Sequence, residues 1–404
     1  MNALRSMIGL ISTTTRKFHN ALNNARNFEA INEQLEVDNS DGFIGRKIEE
    51  EWLCNKYVNR VKSMILEDDE AMIGIYGTGG VGKTTLGKHI HNWVMNNVIS
   101  CSDHVNVAIA WVSVGFGVTI YQLQQKVANA FELDLQDEDV NRRAAIIYAF
   151  LCSLGKYILF LDDLWGDFRL EDVGIIPRQC KLILMSRSLD ICRLFGCQKV
   201  IKLESLSPEE SWELFHHHIG VGGYGVLDSQ QLCYVKKVLY QVCGGLPLAI
   251  TLLAKSNASI EWNVKEMDTF CISSRVTQLQ EVIDRLKLSY DRLINNVKLQ
   301  NCFLYAAIYI KGNPICKEEL IHLWIKKEVI DDIESLEAQL DMGHTILNKL
   351  INSCLMETCK DGSSIKMHHL SRQMALSIAK DSNLIPKLGA LSKLESNGNL
   401  HRSM

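Results

Sequence analysis

From Met72 to Glu204 short apolar runs alternate with stretches of helical periodicity, the pattern of a parallel sheet covered by helices on both faces. The runs place strands at Ala71–Tyr76, Val105–Val114, Tyr157–Asp162, Lys181–Ser186 and Lys199–Leu203. Helices fall between them at Thr84–Val98, Ile120–Phe131, Val140–Leu154 and Leu189–Phe195. After Leu203 the strand signal stops. "SLSPEESWELFHHHIG" has the marks of a helix start, with Ser207 as cap, Pro208 in the first turn and Glu210 three residues beyond the cap. Helical patterns continue at Tyr234–Cys243, Pro247–Lys255, Leu279–Leu293, Lys298–Ile308, Lys317–Glu328 and Ser335–Asn352. "LMETCKDGSSIKMHH" then alternates around Asp361-Gly362, a favoured hairpin pair.

These patterns divide the chain into an N-terminal helical remnant (1–40), an α/β domain (41–204), a small helical domain (205–276), a winged-helix domain (277–385) and a polar tail (386–404). The expected fold class is an α/β domain with helices on both faces of its parallel sheet, followed by a helical domain and a winged helix. No repeat of 20–29 residues is visible, so leucine-rich repeats are not expected within this sequence.

Composition adds few constraints. At 404 residues, 47% hydrophobic and 22% charged, the chain has the make-up of an ordinary globular protein. Its formal charge of -4 advertises no nucleic-acid or anionic-membrane partner. Thirteen scattered cysteines contain no C-x-x-C pair, and Cys192/Cys197 and Cys354/Cys359 are too widely spaced for common zinc knuckles, so reduced thiols in the cytosol are expected. No apolar run approaches 18 residues. The first 28 residues carry Arg5, Arg16, Lys17 and Arg26 and no acid, a composition shared by transit peptides and by a helical fragment; the continuing pattern from Ala21 to Leu35 favours the fragment. Asn2 excludes N-myristoylation.

The chemistry concentrates in "GIYGTGGVGKTTL", which follows the first strand and opens a helix. Gly77, Gly82, Lys83 and Thr84 fit G-x-x-x-x-G-K-[ST], so the α/β domain at 41–204 is expected to be a P-loop nucleotide-binding domain. The backbone of Gly77, Gly79, Gly80, Val81 and Gly82 would curl around phosphates, with Thr85 just beyond at the helix start, where the dipole is positive. Lys83 would reach the outer phosphates, and the Thr84 hydroxyl would bind Mg²⁺. "YILFLDDLW" ends a buried strand on two carboxylates: Asp162 suits the same Mg²⁺, and Asp163 could position or activate water. Aspartate in that second place reaches one methylene less than the glutamate usual in vigorous ring-forming ATPases. Arg187, closing "KLILMSRS", could report a terminal phosphate through charge-assisted hydrogen bonds worth roughly 1.5–3 kcal/mol each. His216–His218 point in different directions on one helix, so a solvated helix end is expected there, not a metal site.

Taken in order, the Gly77–Thr84 loop, "LFLDDLW", "LILMSRS", "LESLSPEESWELF", "CGGLPLAI", "CFLYAAIY" and "MHH" resemble the nucleotide-binding module of plant disease-resistance receptors, the nucleotide-binding leucine-rich-repeat proteins. Trp165 after "LDDL" is similar to their coiled-coil class. The resemblance covers Asp41 to about Lys380 and implies an ADP/ATP switch of innate immunity, ADP-bound at rest and ATP-bound with Mg²⁺ when signalling. It also implies a cytoplasmic location, peripheral membrane association through an N-terminal domain, and self-assembly or pairing with other immune receptors. It suggests that Phe43, Ile44 and Arg46 of "GFIGR" close over adenine, that Pro247 packs by base and sugar, and that His368 reaches the β-phosphate of ADP. From the residues alone, His368 would be a hairpin-end residue capping the next helix.

Three departures stand out. His369 occupies the place of a family aspartate whose loss goes with a leaky switch. "LMSRS" keeps only the arginine of a Thr-Thr-Arg pattern, and no acids follow Tyr309. A turnover ATPase, a truncated adaptor or degenerate receptor copy, and a DNA-binding regulator are the competing expectations. The last is disfavoured because Ser335–Asn352 carries Glu337 and Asp341 against a single Lys349.

Overall fold

A computed structural model of the protein describes residues 51–67, 72–97, 107–166, 168–177, 180–219, 229–255, 279–310, 313–330 and 335–382. The chain divides into two compact units, Met1–Trp52 and Leu53–Met404, and the sheet and the helical lobes around it belong to the second. Phe43, Ile44, Arg46 and the N-terminal segment lie outside the described residues.

Five strands form one parallel sheet: β1 (Met72–Tyr76), β2 (Ala108–Ser113), β3 (Tyr157–Leu164), β4 (Cys180–Ser186) and β5 (Lys199–Lys202), in the order β2-β3-β4-β1-β5. The phosphate-loop strand β1 therefore sits between β4 and β5, and β4 separates it from β3 with its two aspartates. The central strands are apolar over most of their length, as they must be with both faces covered: Ile73, Ile75, Phe160, Leu161, Leu182 and Ile183 are all buried. Helix α1 (Glu51–Glu67) precedes the sheet, and α2 (Lys83–Asn97) leaves the phosphate loop with Leu86, Ile90 and Val94 on one buried stripe. The sheet is completed by α3 (Ile120–Ala130), opened by a Thr119–Gln122 capping box, and by α4 (Val140–Leu154), α5 (Leu170–Val173) and α6 (Leu189–Leu194).

The strand predicted to end at Asp162 runs on to Leu164. Asp163 adopts a left-handed backbone (φ 52°), and the register against β4 shifts between Leu161 and Leu164. An irregularity of this kind re-aims the side chains it carries, here at the acid pair.

Beyond the sheet lie α7 (Pro208–Ile219), α8 (Ser229–Cys243) and α9 (Pro247–Lys255). The Ser207–Glu210 capping box predicted for α7 is formed in both directions, at 3.1 and 2.7 Å. Next comes α10 (279–291), a 3-10 turn (Arg292–Asn295), α11 (Val297–Tyr309), α12 (Lys317–Lys326), α13 (Leu336–Asn352) and α14 (His369–Asp381). A small antiparallel sheet, β6 (Ile315–Cys316), β8 (Ser364–Lys366) and β7 (Glu357–Thr358), supplies the wing. Its turn is the predicted Asp361-Gly362 pair: Gly362 has φ +72°, and the Asp361 carboxylate accepts the Ser363 and Ser364 N–H groups.

Among the described residues no single helix is long and apolar enough to cross a membrane. The pair formed by Leu232–Cys243 and Pro247–Ala254 is apolar but bent by 118°, and Leu239, Cys243, Ile250 and Leu253 on it are buried in the core.

Candidate functional site: the phosphate loop and the lobes that cover it

The loop between β1 and α2 closes on itself through Val81 N–H to the Thr78 carbonyl (3.3 Å). Gly80 and Gly82 hold φ of +81° and +98°, which side chains other than glycine's adopt at a cost. The surroundings are equally restrictive. A Cβ at Gly77 would lie 2.7 Å from the Leu203 carbonyl, and one at Gly79 would lie 2.7 Å from Arg187 Nη1. Thr84 and Thr85 fall in the first turn of α2, and Val81 is buried beneath the loop.

Lys83 folds back along the loop, donating from Nζ to the carbonyls of Gly77 (2.8 Å) and Thr78 (3.0 Å). Burial, with the neighbouring Arg187 cation, pushes its ammonium down to about 8. The Thr84 hydroxyl donates to Asp162 Oδ2 at 2.9 Å, and the other oxygen of that carboxylate accepts the Asp163 N–H at 2.9 Å. Asp162 is 5% exposed, and burial raises its pKa despite both hydrogen bonds. Asp163 does not face the loop alone: its carboxylate is 3.9 Å from Arg187 Nε. The Arg187 guanidinium also lies 4.6 Å over the ring of Trp165 and donates to the Arg285 carbonyl of α10. Arg187 thus touches the loop, the acid pair and the segment leading into the winged helix.

The structure brings the helical lobe onto the loop as well. Leu248 donates its backbone N–H to the Gly80 carbonyl at 3.2 Å, and Pro247 Cγ is 4.0 Å from the Cβ position of Gly82. Pro247 is the first residue of α9, where a missing N–H leaves no helical hydrogen bond unmade. From the wing, the Cys354 carbonyl accepts the Thr78 hydroxyl at 3.4 Å. His368 both caps α14, taking the Leu370 N–H on Nδ1 at 3.2 Å, and places Nε2 2.9 Å from the Gly244 carbonyl. The capping expected from the residues alone is present, and the same ring reaches the turn that carries Pro247.

Sequence reasoning did not single out Leu248, Thr78, Cys354 or Arg285. Leu248 stands inside "GLPLA", but its contribution is a backbone N–H, which side-chain pattern does not report. The Thr78–Cys354 bond joins positions 276 apart in the chain and has no local signature.

The residues suit a magnesium nucleotide. Glycines keep the cradle free of side chains, two enclosed cations lie beside it, and a hydroxyl–carboxylate pair offers the oxygen ligands Mg²⁺ prefers. A separate cavity of about 560 Å³ opens beside the site at the ends of β2 and β3, lined by Phe116, Trp165, Leu194 and Asp291 among others; no phosphate-loop residue lines it.

Comparison with known proteins agrees with the geometry. A family profile described as the NB-ARC domain matches residues 54–222, and one described as the disease resistance protein winged helix domain matches residues 308–375. The chain is a plant disease-resistance-like protein that joins these two domains. It is similar to the disease resistance protein SUMM2 of Arabidopsis thaliana (33% identity, 80% of this chain, 37% of that protein) and to RPS5 of the same plant (31%, 78% and 36%). The chain therefore spans a little over a third of the length of these relatives. Among solved structures, the Aeropyrum pernix ORC2 protein overlaps at 11% identity and a TM-score of 0.49, covering 84% of this chain and 96% of that one, a likeness that carries no functional argument.

Proposed function

We propose that this chain holds an adenine nucleotide as a conformational state in plant innate immunity: closed with ADP, opened and signalling with ATP and Mg²⁺. The observation that carries this reading is the convergence of three lobes on one glycine loop. Leu248 of the helical lobe, Cys354 of the winged-helix lobe, between α13 and β7, and Arg187 of the sheet lobe itself, just past the end of β4, all contact Gly79–Gly80 or Thr78. A bound diphosphate would supply negative charge between Lys83 and Arg187, whose like charges oppose each other at close range.

Each residue has a definite part. Lys83 would exchange the loop carbonyls for phosphate oxygens. Thr84 and Asp162 would hold the metal, and Gly80 and Gly82 would orient the backbone donors. Pro247 would pack by the base and sugar, and His368 would give up its Nε2 bond to the Gly244 carbonyl to reach the diphosphate. Arg187 would trade its bond to the Arg285 carbonyl for a terminal phosphate, loosening the link to α10. Moving such an equilibrium from 1:99 to 99:1 takes roughly 5.5 kcal/mol of differential binding, so several contacts made in one state only are required.

Rapid turnover fits less well. The Asp163 carboxylate is engaged with Arg187, and its backbone is held in a left-handed bend, which leaves it a poor general base. At most a slow ATPase is expected. Cytoplasmic action, assembly with other receptors and peripheral membrane contact belong to the same proposal.

The test is equilibrium binding of a fluorescent ADP analogue to the native chain and to Lys83→Arg. A loss of at least about tenfold is expected from misplacing a charge-assisted phosphate contact. Equal affinity in the two proteins would defeat the assignment.

A further inference from the structure

His368 and His369 stand next to each other at the start of α14, with ring centroids 4.9 Å apart and planes tilted by 31°. Both rings address the C-terminal end of α8. His368 Nε2 is 2.9 Å from the Gly244 carbonyl, and His369 Nε2 is 2.7 Å from the Val242 carbonyl. The hydrogen-bond pattern fixes the tautomer of His368. Its Nδ1 accepts the Leu370 N–H, so Nε2 carries the proton. A carbonyl can only accept, so His369 must also present an N–H to Val242.

The receiving end is suited to donors. The last carbonyls of a helix lack intrahelical partners and sit at the negative end of its dipole. Gly244 makes the close approach possible: at φ +59° it carries no Cβ, and a Cβ there would stand 2.3 Å from His368 Nε2. Farther along α14, Arg372 Nε donates to the Ala307 carbonyl at 2.8 Å, so the helix that offers the two rings is itself anchored to α11.

We propose that the two histidines form a clasp that holds the winged helix on the helical lobe without help from a nucleotide, a regulatory feature resting on the switch reading above. His369 is the distinguishing part. An aspartate at this position would bring a second acceptor against the Val242 carbonyl and could not make the bond. The histidine therefore adds a tie between the lobes that an acid could not make. Closure in this chain is correspondingly less dependent on bound ADP.

Hydrogen exchange on the full chain, stripped of nucleotide and then with excess ADP, tests the clasp. In the stripped native protein, amides at the end of α8 and the start of α14 should stay within about threefold of their ADP-bound rates. His369→Asp should exchange about tenfold faster there when stripped, the scale of one lost buried hydrogen bond, and His369→Gln, which keeps a donor, should recover most of the protection. If His369→Asp fails to give a native near-ultraviolet spectrum, His369→Leu serves in its place, being apolar and without a donor. Protection in the donor-less variant equal to native, or loss of protection in the native chain on stripping alone, overturns the proposal. Failure to bind ADP at all would instead defeat the switch reading while leaving the clasp measurable in the stripped protein.

Discussion

Leu248 donates its backbone N–H to the carbonyl of Gly80 across 3.2 Å, so the helix that follows "CGGLP" is hydrogen-bonded directly to the middle of the phosphate loop. The consequence is mechanical. Whatever changes the loop's backbone is felt at the N-terminus of α9, and the loop can be disturbed from the helical lobe without touching a phosphate contact.

Gly80→Ala tests that coupling. The left-handed backbone costs roughly 1–2 kcal/mol for a side chain, and the new Cβ would press on Leu248 at 3.1 Å. Gly196→Ala, at a similar φ of +77° in the turn that ends α6 and with no neighbour within 4 Å, supplies the backbone cost alone. Urea unfolding should show a larger loss for Gly80→Ala, and ADP affinity should fall only in that variant.

Lys83 makes nucleotide binding proton-linked. Its ammonium titrates near 8 in the folded chain against 10.5 when unperturbed, so the unfolded state takes up the proton first as pH falls. The nucleotide-free protein should lose stability from about pH 10.5 down to pH 8 and level off below. Phosphates should raise the Lys83 pKa. Calorimetry of ADP binding at about pH 8.5 in buffers of different ionisation heat should show proton uptake, and Lys83→Met should abolish it.

Asp162 shifts the other way, its carboxylate raised by burial. The charged form is disfavoured in the fold, so the stability present at low pH is lost as pH rises through the folded pKa. Asp162→Asn should melt at or above the native temperature at neutral pH without nucleotide. The same variant should lose the gain in ATP affinity that Mg²⁺ gives the native chain, as read by titration with and without the metal.

His368 governs the acid side. Burial lowers its pKa, opposed by the bond to the Gly244 carbonyl, with Glu357 and Lys366 as the charged groups it feels. The neutral ring is the folded form, so its contribution is complete above about pH 6.5 and declines as pH falls below that value. His368→Gln should flatten this decline in thermal melts between about pH 7 and 5.

Much of this was legible in the residues themselves. The apolar runs gave the five strands because buried parallel strands need apolar side chains on both faces, and the Pro247–Lys255 and Val140–Leu154 helices match their predicted bounds. The Thr84–Asp162 pair followed from two motifs whose chemistry requires them to meet. What stayed hidden was carried by backbone groups and by distance along the chain. The bend at Asp163 has no propensity signal, since aspartate is common in many conformations. Cys354 reached Thr78 through a carbonyl that any residue would possess. His369 was legible only as a departure from a pattern, and its bond to Val242 depends on how two lobes pack.

The central claim is that an adenine diphosphate joins the loop, the helical lobe and the wing in the resting protein. Ion-pair chromatography of the nucleotide released on heat denaturation of the purified chain tests it most directly. Near-stoichiometric ADP from the native chain, and little from Lys83→Arg, is the predicted result. A native chain that is folded yet releases no nucleotide, and takes up none when ADP is supplied, would contradict the account.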